Sequence, residues 1–431
     1  MVTLNGLVFF FVAFSSASAF APISSRAFVR SDAHGLRMSE GAAEPVMSAG
    51  YGSSTLESTK GAVAEAVKIA SSSLSNAPSI AFVSCTVSRD VDEVRKEFVD
   101  ALPENVPIHG ITSSGALLSN KGALGGAVGC LLLDKEGAFE TAYDSENGEN
   151  AVLSLKEKMA SPQVIFMGAT PGAEEGIIAS INEHFPGVPV YGGTAADDAL
   201  SGDWKVMSSE SVSGTGVSLV AVGPSVKFGA SMLGPYTETE KTAKATKTEG
   251  RRVFEIDGKP AADFVYAWLG EEVGESYRAG GLILPQTAQK PVGIKKPSGE
   301  YVTNHLAALG GDEKFVDFFA PIPEGAELII MDSGDGPSTG YASALASAYD
   351  TAKSQGSLAG GSPAAGILVF CGGMAIAVGD NLDAGLTSDS FASKVGDLPV
   401  LGMTCFGEQA FLEGQKENVQ RNLSVGMILL G

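Results

Sequence analysis

The chain has 431 residues, too many for one ordinary domain, so two domains are expected. Apolar residues make up 44% and charged residues 18%, which excludes a disordered chain, and a formal charge of −21 excludes non-specific attraction to nucleic acid or anionic membranes. With 54 glycines and only 7% aromatics, the composition favours tight turns and close backbone approaches over a large aromatic core.

In chain order the first element reads as an address. Residues 7–14 (LVFFFVAF) are too short to span a bilayer, and Ala17-Ser18-Ala19 offers the small residues that a signal peptidase prefers, so 1–19 is a predicted signal peptide. Residues 20–38 carry Arg26, Arg30 and Arg37 against Asp32 alone, the composition of a transit segment. With Phe20 directly after the cleavage point, the junction resembles the bipartite presequence of algae with complex plastids. The plastid is the expected destination and secretion the alternative. Residues 39–54 read as a disordered leader, and no later stretch is apolar enough for a membrane span, so the mature chain is expected to be soluble.

Three segments then repeat. A β-type apolar run occurs at 79–85 (SIAFVSC), 163–169 (QVIFMGA) and 366–371 (GILVFC). A Pro-led run ending in a Gly/Thr turn occurs at 107–112, 189–194 and 399–404, and a Gly-punctuated strand at 126–133, 216–222 and 425–430. Val91, Val94, Phe98 and Leu102 fall at helical spacing with Ser88 placed to cap, and Ile177, Ile178, Ile181 and Phe185 repeat that pattern. Strand, helix, strand at this spacing predicts a right-handed crossover between parallel strands, with the third segment returning antiparallel. The expected fold class is therefore α/β with mixed sheets, built from repeated β-α-β-β units, with Phe82, Phe166 and Phe370 at equivalent core positions. Val63, Val67, Ala70 and Leu74 mark a further amphipathic helix. Copies one and two fall within 55–245 and copy three within 250–431. The polar stretch 241–252 marks the boundary as linker or strand.

These residues are similar to a known family. The N half carries Gly110-Ile-Thr-Ser-Ser-Gly115, Gly192-Gly-Thr-Ala-Ala-Asp-Asp198 and the strand 216–222. The C half carries Arg252-Val-Phe-Glu-Ile-Asp-Gly-Lys-Pro-Ala261 with Tyr266, Phe370-Cys371, Gly402-Met-Thr-Cys-Phe-Gly-Glu408 and Asn422. Together, over 55–431, they resemble the FIST sensory module, named for F-box and intracellular signal transduction proteins. The resemblance implies FIST N-like (55–245) and FIST C-like (250–431) halves and a sensor of small ligands such as amino acids. No F-box or output domain is evident, so the signal is expected to reach a separate protein partner. Where an Arg commonly follows the C-half cysteine by three positions, this chain has Met374.

The Gly/Thr turns follow strand ends, where α/β sheets collect binding loops. Their glycines admit backbone N–H groups and their hydroxyls and acids suit a small polar ligand. The expected ligand-binding residues are Thr112, Ser113, Ser114, Gly115, Gly192, Gly193, Thr194, Asp197, Asp198, Cys371, Thr404, Cys405, Gly407, Glu408 and Asn422, with Glu408 and Asp197 fixing ligand orientation. The competing reading is that these are connectors whose hydroxyls cap the next element. A cysteine-dependent enzyme using Cys371 or Cys405, with His109, His184 or His305 as base, is the first functional alternative; an interaction scaffold is the second. No zinc motif or cofactor fingerprint is present, so no metal or cofactor is expected. Residues 333–340 (SGDGPSTG) lack the lysine of a phosphate loop and read as a helix-start turn.

Overall fold

The structure is a computed structural model that describes residues 47–333 and 339–431. Within residues 1–46 it describes only the pairing of Thr3–Leu4 with Leu7–Val8. The signal-peptide and transit readings therefore fall otherwise outside the described residues, as does 334–338 of the helix-start turn.

Residues 47–431 contain three copies of one unit. The first runs β1 (Ala49–Ser54), α1 (Thr59–Ser71), β2 (Ile80–Thr86), α2 (Val91–Ala101), β3 (Ile108–Ser113), the hairpin β4 (Ala116–Ser119) and β5 (Gly122–Gly125), then β6 (Val128–Leu133). The second repeats this order as β7 (Phe139–Asp144), α3 (Glu149–Lys158), β8 (Val164–Ala169), α4 (Glu174–His184), β9 (Val190–Thr194), the hairpin β10 (Val206–Ser208) and β11 (Val212–Ser213), then β12 (Val217–Val222). The third opens on β13 (Phe228–Leu233) and is at once interrupted by an antiparallel insertion. That insertion runs from β14 (Tyr236–Glu249), β15 (Arg252–Ile256) and α5 (Ala261–Leu269) through β16 (Val292–Lys295), β17 (Tyr301–Asn304), β18 (Leu306–Leu309) and β19 (Val316–Phe318) to β20 (Glu327–Ser333). The unit then resumes with α6 (Ala342–Ser354), β21 (Ala365–Cys371), the short helices α7 (Gly372–Val378), α8 (Asn381–Leu386) and α9 (Asp389–Val395), β22 (Val400–Cys405), the hairpin β23 (Glu408–Leu412) and β24 (Glu417–Arg421), and β25 (Val425–Leu430).

In every copy the two central strands are parallel and the last strand returns antiparallel to the first of them. The hairpins do not stay at home. The sheet orders are β11-β10-β3-β2-β6-β1, β24-β23-β9-β8-β12-β7 and β13-β25-β21-β22-β4-β5. Unit one therefore completes the sheet of unit three, unit two that of unit one, and unit three that of unit two. The exchange closes on itself.

The register aligns the copies. Ala81 pairs Ile108, Ile165 pairs Val190 and Gly366 pairs Val400, each directly after the repeated proline. Phe82 and Phe166 are thus equivalent, and they meet edge-to-face at 5.3 Å where the sheets face one another. Their third counterpart is Ile367, which lines the same place; the expectation for Phe370 is corrected. Phe370 lies three positions on, which in a strand is the opposite face, and packs into the cluster beneath α6. Gly192 of the Pro-led run has no room for a side chain, since a Cβ would sit 1.9 Å from the Met167 carbonyl oxygen.

Two local expectations change. Residues 49–54 are no leader: they form β1, paired residue for residue with β6. Gly50 and Gly52 let α1 pack directly on that strand, where a Cβ at Gly50 would lie 1.8 Å from the Ala70 carbonyl oxygen, so the strand needs few apolar side chains. Helix α2 is capped by Asp90, which accepts from the Glu93 N–H at 3.0 Å, while Ser88 pairs with Thr86. The 241–252 stretch lies mostly in strand β14, inside the insertion. The insertion is tied back by Arg251, which bridges Glu174 and Glu175 of α4.

Candidate functional site

The C-terminal ends of β3 and β22, and the loop after β9, open on one cleft of about 410 Å³. Ser114 to Ala116 arrive from the first unit and Asp197 to Leu200 from the second. The third unit brings Cys371 to Gly373, Ala375, Ile376, Leu382, Thr404, Phe406 and Asn422, and the insertion closes the space with Leu284, His305 and Phe319. A larger groove of about 660 Å³ beside α2 and β7 receives none of these loops.

Of the residues singled out from the sequence, Ser114, Gly115, Asp197, Asp198, Cys371, Thr404 and Asn422 line the cleft. Asp198 is exposed and accepts from the Gly115 N–H at 2.7 Å, joining two of the loops. Asp197 sits differently from its expected role. Its carboxylate is saturated by its own loop, accepting from the N–H groups of Ala199, Gly202 and Asp203 and from the Ser201 hydroxyl. It builds the loop, and the four donors that it accepts from all lie within residues 199–203.

The remaining candidates lie outside the cleft. Thr112 accepts from the Lys205 N–H, fixing the visiting hairpin β10. Ser113 donates to Ala116 and accepts from the Thr404 N–H, joining units one and three. Thr194 donates to Glu174 and accepts from Gln409. Gly192 and Gly193 are at the centre of the three sheets, where Gly193 leaves room for the Cys405 sulfur. Gly407 is covered by Gln420. In each, the hydroxyl or missing Cβ holds strands together, which is the connector reading of these turns.

Glu408 is behind the cleft wall, fully buried. Burial pushes its carboxyl up to about 8, against the opposing effects of the Cys371 thiol, Arg421 and the Ser424 N–H, so it is largely protonated at neutral pH. The Ser424 N–H donates to Oε2 at 3.1 Å, while Oε1 has no N–H or O–H donor. Met374, where the resemblance implies an arginine, is buried in the apolar cluster. Arg421, opposite Glu408 on the hairpin, is the cation nearby; burial lowers it to about 10.

The thiols are poorly suited to attack. Burial and the neighbouring Glu408 raise both Cys371 and Cys405, and all four cysteines are free and buried. His305 is held neutral, lowered to about 4 by burial, with Nε2 donating to the Leu284 carbonyl at 3.1 Å. Among the described residues no group of three or more His, Cys, Asp or Glu could hold a metal. The most suggestive group is Asn422. It is 1% exposed, its Oδ1 accepts from the His305 N–H, and its Nδ2 has no partner.

Sequence reasoning missed the apolar half of the cleft. Leu284 and Phe319 belong to the insertion, which has no counterpart in the other copies and so no repeat to betray it; His305, from the same insertion, was named only as a possible base for a cysteine. Phe406 was within reach, since it stands inside the Thr404 to Glu408 motif.

The FIST N domain matches residues 79–259 and the FIST C domain residues 261–411. An uncharacterized protein of Methanocaldococcus jannaschii, MJ1623, is 25% identical over 281 residues, 58% of this chain and 53% of the relative. The chain thus spans about half the length of that relative. No described helix is long and apolar enough to cross a membrane. With both domain types present in order along one chain, the protein belongs to the FIST family, whose domains are sensory domains of signal transduction proteins.

Proposed function

We propose that the cleft binds a small amphipathic ligand, an α-amino acid with an apolar side chain being the best fit, and that occupancy is read by a separate protein partner. The observation that carries this is Asn422 Nδ2, a buried donor without a partner on the wall of the cleft. Such a group costs about 1–3 kcal/mol while unpaired, and a ligand carboxylate would recover that cost. Asp198 at the rim suits the ammonium, and Ile376, Leu382, Phe319 and Phe406 suit the side chain. The test is a thermal-shift titration of the full-length protein with the twenty amino acids and common plastid metabolites, repeated on Ile376→Trp. A saturable rise in Tm for leucine-like ligands, lost in the variant, is expected. A panel without any response, or a response indifferent to Ile376→Trp, overturns the reading.

The plastid is proposed as the place of action, supported by the Arg- and Ser-rich segment after Ala19. Residues 1–38 fused to a fluorescent protein should reach the plastid, and Phe20→Ala should strand the fusion earlier in the route. Delivery to the medium would leave only the secretory alternative.

A further inference from the structure

A second cavity, of about 300 Å³, lies on the other side of the β23–β24 hairpin, between β13, the insertion and α6. Its walls are aromatic and apolar, with Tyr191, Tyr301, Phe411 and Met232 among them, and Arg421 is part of its lining. That arginine is anomalous. It is 5% exposed yet makes no ion pair among the described residues. Nη1 donates to the Met232 carbonyl at 3.1 Å and Nη2 to the Thr303 hydroxyl at 3.2 Å, so the guanidinium is held in place. Its Nε has no partner. The carboxyl opposite it on the hairpin, Glu408, forms no ion pair with it and is pushed toward its neutral form by burial. A buried cation whose neighbouring acids, Glu408 and Glu300, make no ion pair with it is expensive, and a fixed guanidinium is preorganised for a planar anion. Glu300 and Glu413 line the same cavity, which disfavours a multiply charged group such as phosphate.

We propose that this cavity is a second binding site, separate from the cleft, for an aromatic monocarboxylate whose carboxylate pairs with Arg421 and whose ring packs against Tyr191, Tyr301 and Phe411. Because Arg421 is followed directly by Asn422 of the cleft, the two sites share one strand end.

The test is calorimetric titration of the full-length protein with benzoate, with benzamide as the neutral isostere and inorganic phosphate as the multivalent control. Benzoate should bind saturably, benzamide at least tenfold more weakly, and phosphate not at all. Arg421→Gln and Thr351→Trp, the latter filling the rim from α6, should each abolish benzoate binding, while Ile376→Trp in the cleft leaves it intact. Equal binding of benzoate and benzamide, retention of affinity in Thr351→Trp, or no benzoate heat overturns the proposal. If Arg421→Gln fails to fold, the benzamide comparison and Thr351→Trp decide. Loss of benzoate binding in Ile376→Trp would move the site to the cleft and equally refute it.

Discussion

Glu408 shows what burial does to a residue whose chemistry looks plain in the sequence. As a carboxylate after a Gly/Thr turn it reads as a ligand contact; in the fold it is a largely neutral acid between Cys371 and Arg421. Its carboxyl is raised from the ordinary 4.5 to about 8, so the native state holds a proton that the unfolded chain releases above 4.5. Stability should therefore fall as pH rises from about 4.5 to about 8, then level off. Glu408→Gln removes that slope, and the variant should gain on the wild type across the window by on the order of a few kcal/mol. The buried histidines, His109 and His305, are lowered to about 3 and 4 and act in the opposite sense below 6.5, but they are common to both proteins. Chemical denaturation at pH 5, 6.5 and 8.5 measures the difference. Parallel wild-type and variant profiles would mean that Glu408 is ionised and paired with Arg421. Asp197 teaches a similar lesson, since an acid in a loop is as easily the organiser of its own turn as a hand held out to a ligand.

The elements were legible where a period or a spacing recurs. The parallel crossover strands, the returning third strand and helices α2 and α4 all follow from apolar spacing on either side of the repeated prolines. Strand β1 was hidden because AGYGSS pairs through its backbone and packs through absent side chains. The face of Phe370 was hidden because β21 is buried on both sides, so no alternation shows which residues look inward. The hairpins were legible as turns but not as visitors, since nothing local in residues 116–125 says which sheet they will join. For the cleft, the loops could be read and the insertion that walls it could not. Half the site was therefore open to sequence reasoning: the half that repeats.

At the scale of the molecule, the hairpin exchange makes the two sequence halves inseparable. A fragment ending at 235 leaves the sheet of unit two without β23 and β24 and carries a β4–β5 hairpin with no sheet to join. Residues 236–431 in turn lack β13, the edge of their own sheet. Expressed alone, each fragment should aggregate or bind the other, and co-expression should restore a one-to-one complex with cooperative unfolding. Two fragments that each melt cooperatively and alone would show that the exchange is dispensable. The same exchange imposes an order of events during synthesis. Leu118 pairs with Gly402, and at roughly 5–20 residues per second the ribosome needs about 15–60 s to bring the second within reach of the first. For that time the growing chain displays an unpaired β edge, the kind of surface that recruits other nascent chains. A folding helper that shields residues 116–125 early would raise the yield more than one acting on the finished chain.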